Sequence, residues 1–357
     1  SPCQARVASM LGLADPTLPQ GDSEAKSVDD LQTLLARLGR QIAFSLDSTA
    51  SRAGHSLTHE KPRFAFFQLA KPWAHGKREA PKFELLAPGI AKHEGEVVLA
   101  PGVDPAADAT LALRVGVAAA ESGLPIAPAT LNNLRRCPIR DSVWDEESRE
   151  LFVRLLACSD SLLTVWEELD FADIPGRWIP EWLGVRNRPS ASAAHRYTID
   201  RHMVEVVTRL GRMSPSGTPY DDAHYHALLL AGILHDIGKR PGVRDHAAEG
   251  ARHAGAILKR MGYSADTVRW VTVLVREHLT LSDYATGRNP NDPVVGDDLA
   301  ACVDRDPVLL DMLFDLTRAD GSSLGATAGE TIGKQYGWSR WRESLVRTMY
   351  AAARYHM

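Results

Sequence analysis

Apolar residues recur at helical spacing over most of the chain. In LQTLLARLGRQIAFSL, Leu31, Leu34, Leu35, Leu38, Ile42 and Leu46 fall on one side of a helix. Ser27 and Asp30 ahead of it have the spacing of a capping box, so order is expected to begin at Ser27. Residues 1–26 are rich in Pro, Gly, Asp and Ser, apart from a short apolar patch at 7–13, and are expected to be loose. After a polar stretch to Pro81, KFELLAPGIAKHEGEVVLA presents two short apolar segments around a His-Glu-Gly turn and predicts a small β-hairpin. Helices follow over 110–122, closed by Gly123, over 128–134 and over 146–156. Trp166, Trp178 and Trp182 cluster before a Pro/Ser/Ala linker that starts at Asn187, and their expected role is packing.

From His195 onward the periodicity is helical almost throughout: 199–210, 224–234, 246–261, 265–278, 297–303, 307–319 and 338–355. No segment there alternates as a strand. Long connections at 211–222, 280–296 and 321–337 are expected to be loops in which function could sit. The fold class is therefore mainly α: a helical bundle over 188–357, preceded by a mostly helical region over 27–187 that carries the hairpin.

Composition narrows the function classes. A chain of 357 residues is long for a single core, which suggests two or three units, here a loose segment 1–26 ahead of 27–187 and 188–357. Hydrophobic content of 44% and a net charge of −4 are those of an ordinary soluble protein. They give no electrostatic reason to expect a nucleic-acid or membrane partner. No apolar run approaches the roughly 20 residues of a membrane span, and the amino end lacks the character of a secretory signal, so a cytoplasmic location is expected. Cys3, Cys137, Cys158 and Cys302 form no C-x-x-C pair, which argues against a zinc knuckle or a disulfide framework. The chain opens on Ser1 rather than Met, which predicts a processed or truncated chain.

The chemistry concentrates in LLLAGILHDIGK, where an apolar helical run ends on His235 and Asp236, followed by Gly238 and Lys239. Neighbouring helical side chains diverge by about 100°, so an imidazole and a carboxylate from one turn can both reach a cation against the helix. With 13 His in the chain, one adjacent His-Asp pair is about what chance supplies, and Asp236 could simply cap the next turn. His202, His246, His253, His278 and Asp320 also sit on or beside predicted helices. Taken alone, His202 would be a core histidine beside Ile199 and Val206. Imidazole and carboxylate together suit Mn, Fe, Co, Ni or Zn, one or two ions, with Mg also admissible.

The order His, His-Asp, then a distant Asp at the end of LLDMLFDLTRAD resembles the signature of the HD-domain metal-dependent phosphohydrolases. The resemblance implies that His202, His235, Asp236 and Asp320 hold a first metal. It further implies that His246 and His278 hold a second, with Asp236 bridging. Glu277 stands where relatives tend to carry a second His. Lys239 is expected to offset charge on a substrate phosphate, with Asp236 as the central catalytic group, and Arg288 in ATGRNPNDP to contact that phosphate. The plain alternatives are a solvated helix-end lysine and an ordinary loop arginine.

Longer strings are more specific. KHEGEVVLAPG, WIPEWLGVRNRP, HRYTIDRHMVE, DHAAEGA, VREHLTLSDYAT and LTRADG resemble the bifunctional PII uridylyltransferase/uridylyl-removing enzymes of nitrogen regulation, over about residues 30–357. That resemblance implies metal-dependent removal of UMP or AMP from a tyrosine of a nucleotidylated PII signalling protein. It also implies glutamine as an effector acting through ACT domains. The transferase carboxylates and the ACT domains find no counterpart in this sequence, so the chain is expected to match only the middle of such an enzyme. Two other readings use the same residues: a phosphohydrolase of free or cyclic nucleotides, and a non-enzymatic scaffold with a vestigial site.

Overall fold

The computed structural model describes residues 2–13, 20–59, 82–139, 143–190, 197–213, 220–323 and 338–357. The expected loops at 214–219 and 324–337, and linker residues 191–196 with His195, lie outside the described residues. The chain opens with helices α1 (Pro2–Met10) and α2 (Gln20–His59), followed by strands β1 (Glu84–Ala87), β2 (Ile90–His93) and β3 (Glu96–Leu99). Helices α3 (Leu111–Ser122), α4 (Pro128–Leu134), α5 (Glu146–Leu156), α6 (Ser159–Phe171) and α7 (Ile174–Trp178) complete the first part, which ends in a 3-10 turn at Pro180–Gly184. The second part comprises α8 (Ile199–Gly211), α9 (Asp222–Leu234), α10 (His246–Met261), α11 (Ala265–Glu277), α12 (Thr280–Gly287), α13 (Pro293–Cys302), α14 (Pro307–Ser322) and α15 (Arg340–Tyr355).

The expected class holds: a mainly helical chain with a small antiparallel sheet. Several local expectations do not. Residues 1–26 carry α1 and the first turns of α2, so Ser27 lies inside a helix and cannot cap one. The exposed face of α2 includes Leu35, Leu38, Ile42 and Leu46, while Leu31 is buried. The hairpin around Glu94 and Gly95 gains a third strand, because Pro88 and Gly89 turn β1 back onto β2, with Gly89 at φ 77°. The connection 280–296 is mostly helical, made by α12 and the start of α13.

Local chemistry explains the elements that frame the site. α9 is apolar on every side, and all residues from Ala227 to Leu234 are buried, as befits a central helix that neighbours cover all round. α8, α10 and α11 are amphipathic and pack about it. Side-chain caps from Asp221, Asp245 and Ser264 start α9, α10 and α11. Gly262, at φ 80°, ends α10 in the left-handed region. α6 packs on α8 and joins the two parts, and within the first part Trp166 and Trp182 lie buried with ring centroids 5.3 Å apart. From α2, Arg40 donates to Asn187 and to Asp200, each at 2.8 Å.

Glu168 on α6 is a buried carboxyl that accepts a hydrogen bond from the Ile126 amide at 3.0 Å. Burial pushes its pKa up to about 7 from an ordinary 4.5. A raised folded pKa means the folded state holds the proton more tightly. Glu168 therefore supports the fold fully below about pH 4.5 and loses that support as the pH rises through 7. The thermal midpoint of wild type relative to Glu168→Gln should fall between pH 5 and 8, measured by circular dichroism; a pH-independent difference would contradict this.

Candidate metal centre

Five helices of the second part bring the acid and imidazole groups together. His202 projects from the first turn of α8 and Asp320 from the last turns of α14. His235 and Asp236 follow α9, His246 begins α10, and His278 follows α11. His202, His235, Asp236 and His278 are all at most 2% exposed.

The groups form two abutting triads. In the first, His202 Nε2 lies 2.9 Å and His235 Nε2 3.9 Å from Asp320 Oδ1. In the second, Asp236 Oδ1 lies 3.6 Å from His246 Nε2 and 3.7 Å from His278 Nε2. Asp236 links them, because its other oxygen, Oδ2, is 3.6 Å from His235 Nε2. Separations of 3.6 to 3.9 Å are too long for hydrogen bonds, yet short enough for the atoms to share an ion. His235 Nε2, Asp236 Oδ1 and His246 Nε2 are buried without a hydrogen-bond partner. Buried polar atoms are normally satisfied, so three orphans converging on one place fit a divalent ion, and the nitrogen and oxygen donors suit a transition metal.

Backbone carbonyls aim the imidazoles. His235 Nδ1 sits 2.9 Å from the Gly232 carbonyl oxygen, and His278 Nδ1 sits 2.7 Å from that of Val275. His202 Nδ1 is 3.2 Å from the Ser323 carbonyl oxygen. A proton on Nδ1 donating to these oxygens leaves the Nε2 lone pair free to face an ion.

The electrostatics match. Burial pushes the His235 pKa down to about 4, so its ring is neutral at pH 7. Burial works against ionising Asp236, but the surrounding His235, Lys239 and His278 outweigh it and hold the carboxyl well below the usual range. Asp320 is likewise depressed against its burial by its hydrogen bond with His202. The His202 pKa is raised, because that bond overcomes the desolvation of its ring.

The structure thus brings together six of the expected residues, and Lys239 joins them by donating to Asp236 Oδ2 at 3.1 Å. Arg288 is not among them: it lies at the exposed end of α12, with its guanidinium 5.6 Å from the centre of the Tyr284 ring. Glu277 accepts from Thr280 Oγ1 at 2.7 Å and is 2.8 Å from Arg276 Nε, away from the triads. His253 pairs with Glu249 at 3.0 Å. The residues that sequence reasoning missed are the three whose carbonyl oxygens accept from the imidazoles and orient them. Two of them lie three positions before their His in a helical end, a spacing visible in the sequence, whereas Ser323 is 121 residues from His202.

The two His/Asp triads, each with its own carboxylate and linked through Asp236, lie in the helical bundle whose residues 199–306 the HD domain family model matches, with Asp320 of the first triad beyond that segment. The chain is a homologue of proteins named bifunctional uridylyltransferase/uridylyl-removing enzyme. It is 33% identical over 318 residues to that of Mycobacterium tuberculosis, covering 89% of this chain and 36% of the relative. It is 32% identical over 348 residues to that of Streptomyces coelicolor, covering 96% and 38% respectively. The chain thus spans little more than a third of the length of these relatives. Among the described residues, no helix is long and apolar enough to cross a membrane.

Proposed function

We propose that this chain hydrolyses the phosphodiester between a nucleotide, UMP or AMP, and a tyrosine of a nucleotidylated PII protein. The observation that carries the reading is the pair of triads joined through Asp236, in a chain similar to enzymes named for uridylyl removal. The proposed ligands are His202, His235, Asp236 and Asp320 for a first ion, and Asp236, His246 and His278 for a second. Divalent ions bound there would supply an activated water and neutralise charge on the phosphodiester.

The chain's own groups prepare the rest. The carbonyls of Gly232, Val275 and Ser323 hold the rings in one orientation. Asp236 offers an oxygen to each triad, and Lys239 faces one of those oxygens from a position about a quarter exposed, where a substrate phosphate can enter. Water adds to phosphorus, the bond from phosphorus to the tyrosine oxygen breaks, and a nucleoside monophosphate and free tyrosine result. A phenol with a pKa near 10 leaves without the strong general acid that an alcohol would need. Glutamine control through other parts of a longer enzyme belongs to the same reading.

The direct test is mass spectrometry of nucleotidylated PII after incubation with this chain and Mn, beside a panel of free and cyclic nucleotides. Loss of a nucleotidyl mass from PII is expected, and its identity distinguishes UMP from AMP. Turnover of the free nucleotides alone would sink the reading. Lys239→Met is expected to keep metal content at the wild-type level and to slow release about 10- to 100-fold, as loss of one charge contact to the transition state would. Inductively coupled plasma mass spectrometry and initial rates check the two halves.

A further inference from the structure

The segment from His235 to Arg240 is held at two places, and only one of them lies within the HD bundle. At the inner place, Gly238 abuts α10: a Cβ there would run into the Gly250 nitrogen and the His246 carbonyl oxygen. At the outer place, the Arg240 guanidinium leaves the bundle and seats on the 3-10 turn Pro180–Gly184 of the first part. It donates from Nη2 to the Glu181 carbonyl oxygen at 2.8 Å. It also packs so tightly on Gly184 that a Cβ at that position would lie 2.6 Å from Nε and 2.8 Å from Cζ. The turn is clamped to α10 as well, since Arg260 donates through both terminal nitrogens to the Glu181 carboxylate at 2.8 and 2.7 Å.

A surface arginine kept for its charge would hold its guanidinium in water. Arg240 instead buries Nε without a hydrogen-bond partner, so what the fold preserves there is a fitted shape. Between the two anchors lies Lys239, whose backbone amide donates to the Asp236 carbonyl at 2.9 Å and whose ammonium meets the Asp236 carboxylate. The Arg240 amide also donates to the Gly238 carbonyl at 2.8 Å, closing a tight turn around Lys239, so a backbone shift at Arg240 is passed to Lys239.

We propose that Arg240 is a positioning residue, seated on the Pro180–Gly184 turn, which makes the placement of Lys239 and Asp236 in the metal centre depend on the helical first part of the chain. The inference rests on the proposed phosphodiesterase reading for its kinetic consequence, though not for its structural one. It assigns WIPEWLG a role beyond packing: the turn supplies the carbonyl and the side-chain-free surface into which Arg240 fits.

The test uses the whole chain and four variants: Arg240→Ala, Arg240→Lys, Gly184→Ala and the Gly184→Ala/Arg240→Ala double. Release from nucleotidylated PII gives kcat and KM, and hydrogen exchange by mass spectrometry reports on peptides spanning 236–245. Arg240→Ala and Gly184→Ala should each lower kcat about 10- to 100-fold, the cost of a misplacement of about 1 Å, with KM little changed. Each should also speed exchange in that segment. Arg240→Lys should behave like Arg240→Ala, because Lys keeps the charge but not the planar contact; full activity with Lys would overturn the proposal in favour of a charge contact.

The double variant should be no slower than the slower single, since Gly184→Ala acts by displacing a side chain that is then gone. Losses that multiply, or exchange in 236–245 at the wild-type rate in both singles, would also overturn it. If Gly184→Ala does not fold, the two Arg240 variants, which add no atoms at the contact, decide the matter. If wild type releases no nucleotide, the functional reading fails, and the exchange rates alone decide the positioning role.

Discussion

Asp236→Ala is expected to abolish nucleotide release, by about a thousandfold or more, and to empty both metal positions at once. The expectation follows from the placement of the carboxylate. Oδ2 faces His235 and Lys239, while Oδ1 faces His246 and His278, so one substitution removes an oxygen from each triad. A thousandfold loss corresponds to about 4 kcal/mol of charge stabilisation at phosphorus, at about 1.4 kcal/mol per tenfold. His246→Ala is the informative contrast. It removes a ligand from the second triad alone and should leave the first ion in place. Metal analysis should therefore read near zero for Asp236→Ala and an intermediate value for His246→Ala. The His235→Ala/Asp236→Ala double should be as inactive as Asp236→Ala, because residues acting as one unit do not add. Unfolding is not expected to confuse the result: α9 is held by its apolar side chains, and Lys239 is exposed enough to find water when its partner is removed. Release by Asp236→Ala at more than a few percent of the wild-type rate would show that the carboxylate is not the hub of the site.

Much of this centre was legible because the bundle uses helix ends. His235, His246 and His278 each stand where an apolar or amphipathic helix stops or starts, and periodicity locates such points well. Which of them meet was not legible from spacing. His246 and His253 are seven apart and share a face of α10, yet at about 1.5 Å per residue His253 lies about 10 Å farther along the axis, and it turns to Glu249 instead. The partnership of His202 with Asp320 spans 118 residues and was reachable only through resemblance to a family. Asp320 also lies beyond the end of the matched HD segment at residue 306.

Short polar helices were the main loss in the fold. TLSDYATG makes barely two turns and precedes Arg288 and Asn289, so its composition reads as a loop, while burial of Leu281 and Ala285 in tertiary packing makes it a helix. Ser27 was misleading for a related reason. A cap-like sequence means little when good helix formers such as Glu24, Ala25 and Lys26 stand before it. The seat of Arg240 on Gly184 left no sequence signal, because it depends on how two separately legible parts dock.

Stripping metal with a chelator should both stop hydrolysis and lower the thermal midpoint by roughly 5 to 10 °C, reversibly on adding Mn, and the size of that shift should grow as the pH rises from about 6 to 8. An ion held by the folded state alone stabilises it by about 2.7 kcal/mol at a hundredfold excess over its Kd, and each kcal/mol moves the midpoint of a domain this size by about 2 to 4 °C. Without the ion, His235 Nε2, Asp236 Oδ1 and His246 Nε2 return to being buried and unpartnered. The pH dependence has a definite sign. An imidazole must be neutral to ligate. His235, depressed to about 4, and His246, lowered by the desolvation of its ring, are neutral already near pH 7 and cost nothing to deprotonate. His202 is the exception, because Asp320 raises its pKa, and an ion entering the first triad must displace that proton. Binding there is therefore weaker below the raised His202 pKa and strengthens as the pH climbs through it. His202→Ala should remove most of this pH dependence and weaken the first ion, and Asp236→Ala should make the midpoint indifferent to chelator at every pH. Differential scanning fluorimetry across pH 6 to 8, with and without chelator, gives all three curves. A chelator effect that shrinks as the pH rises would mean that His202 does not release its proton to a metal.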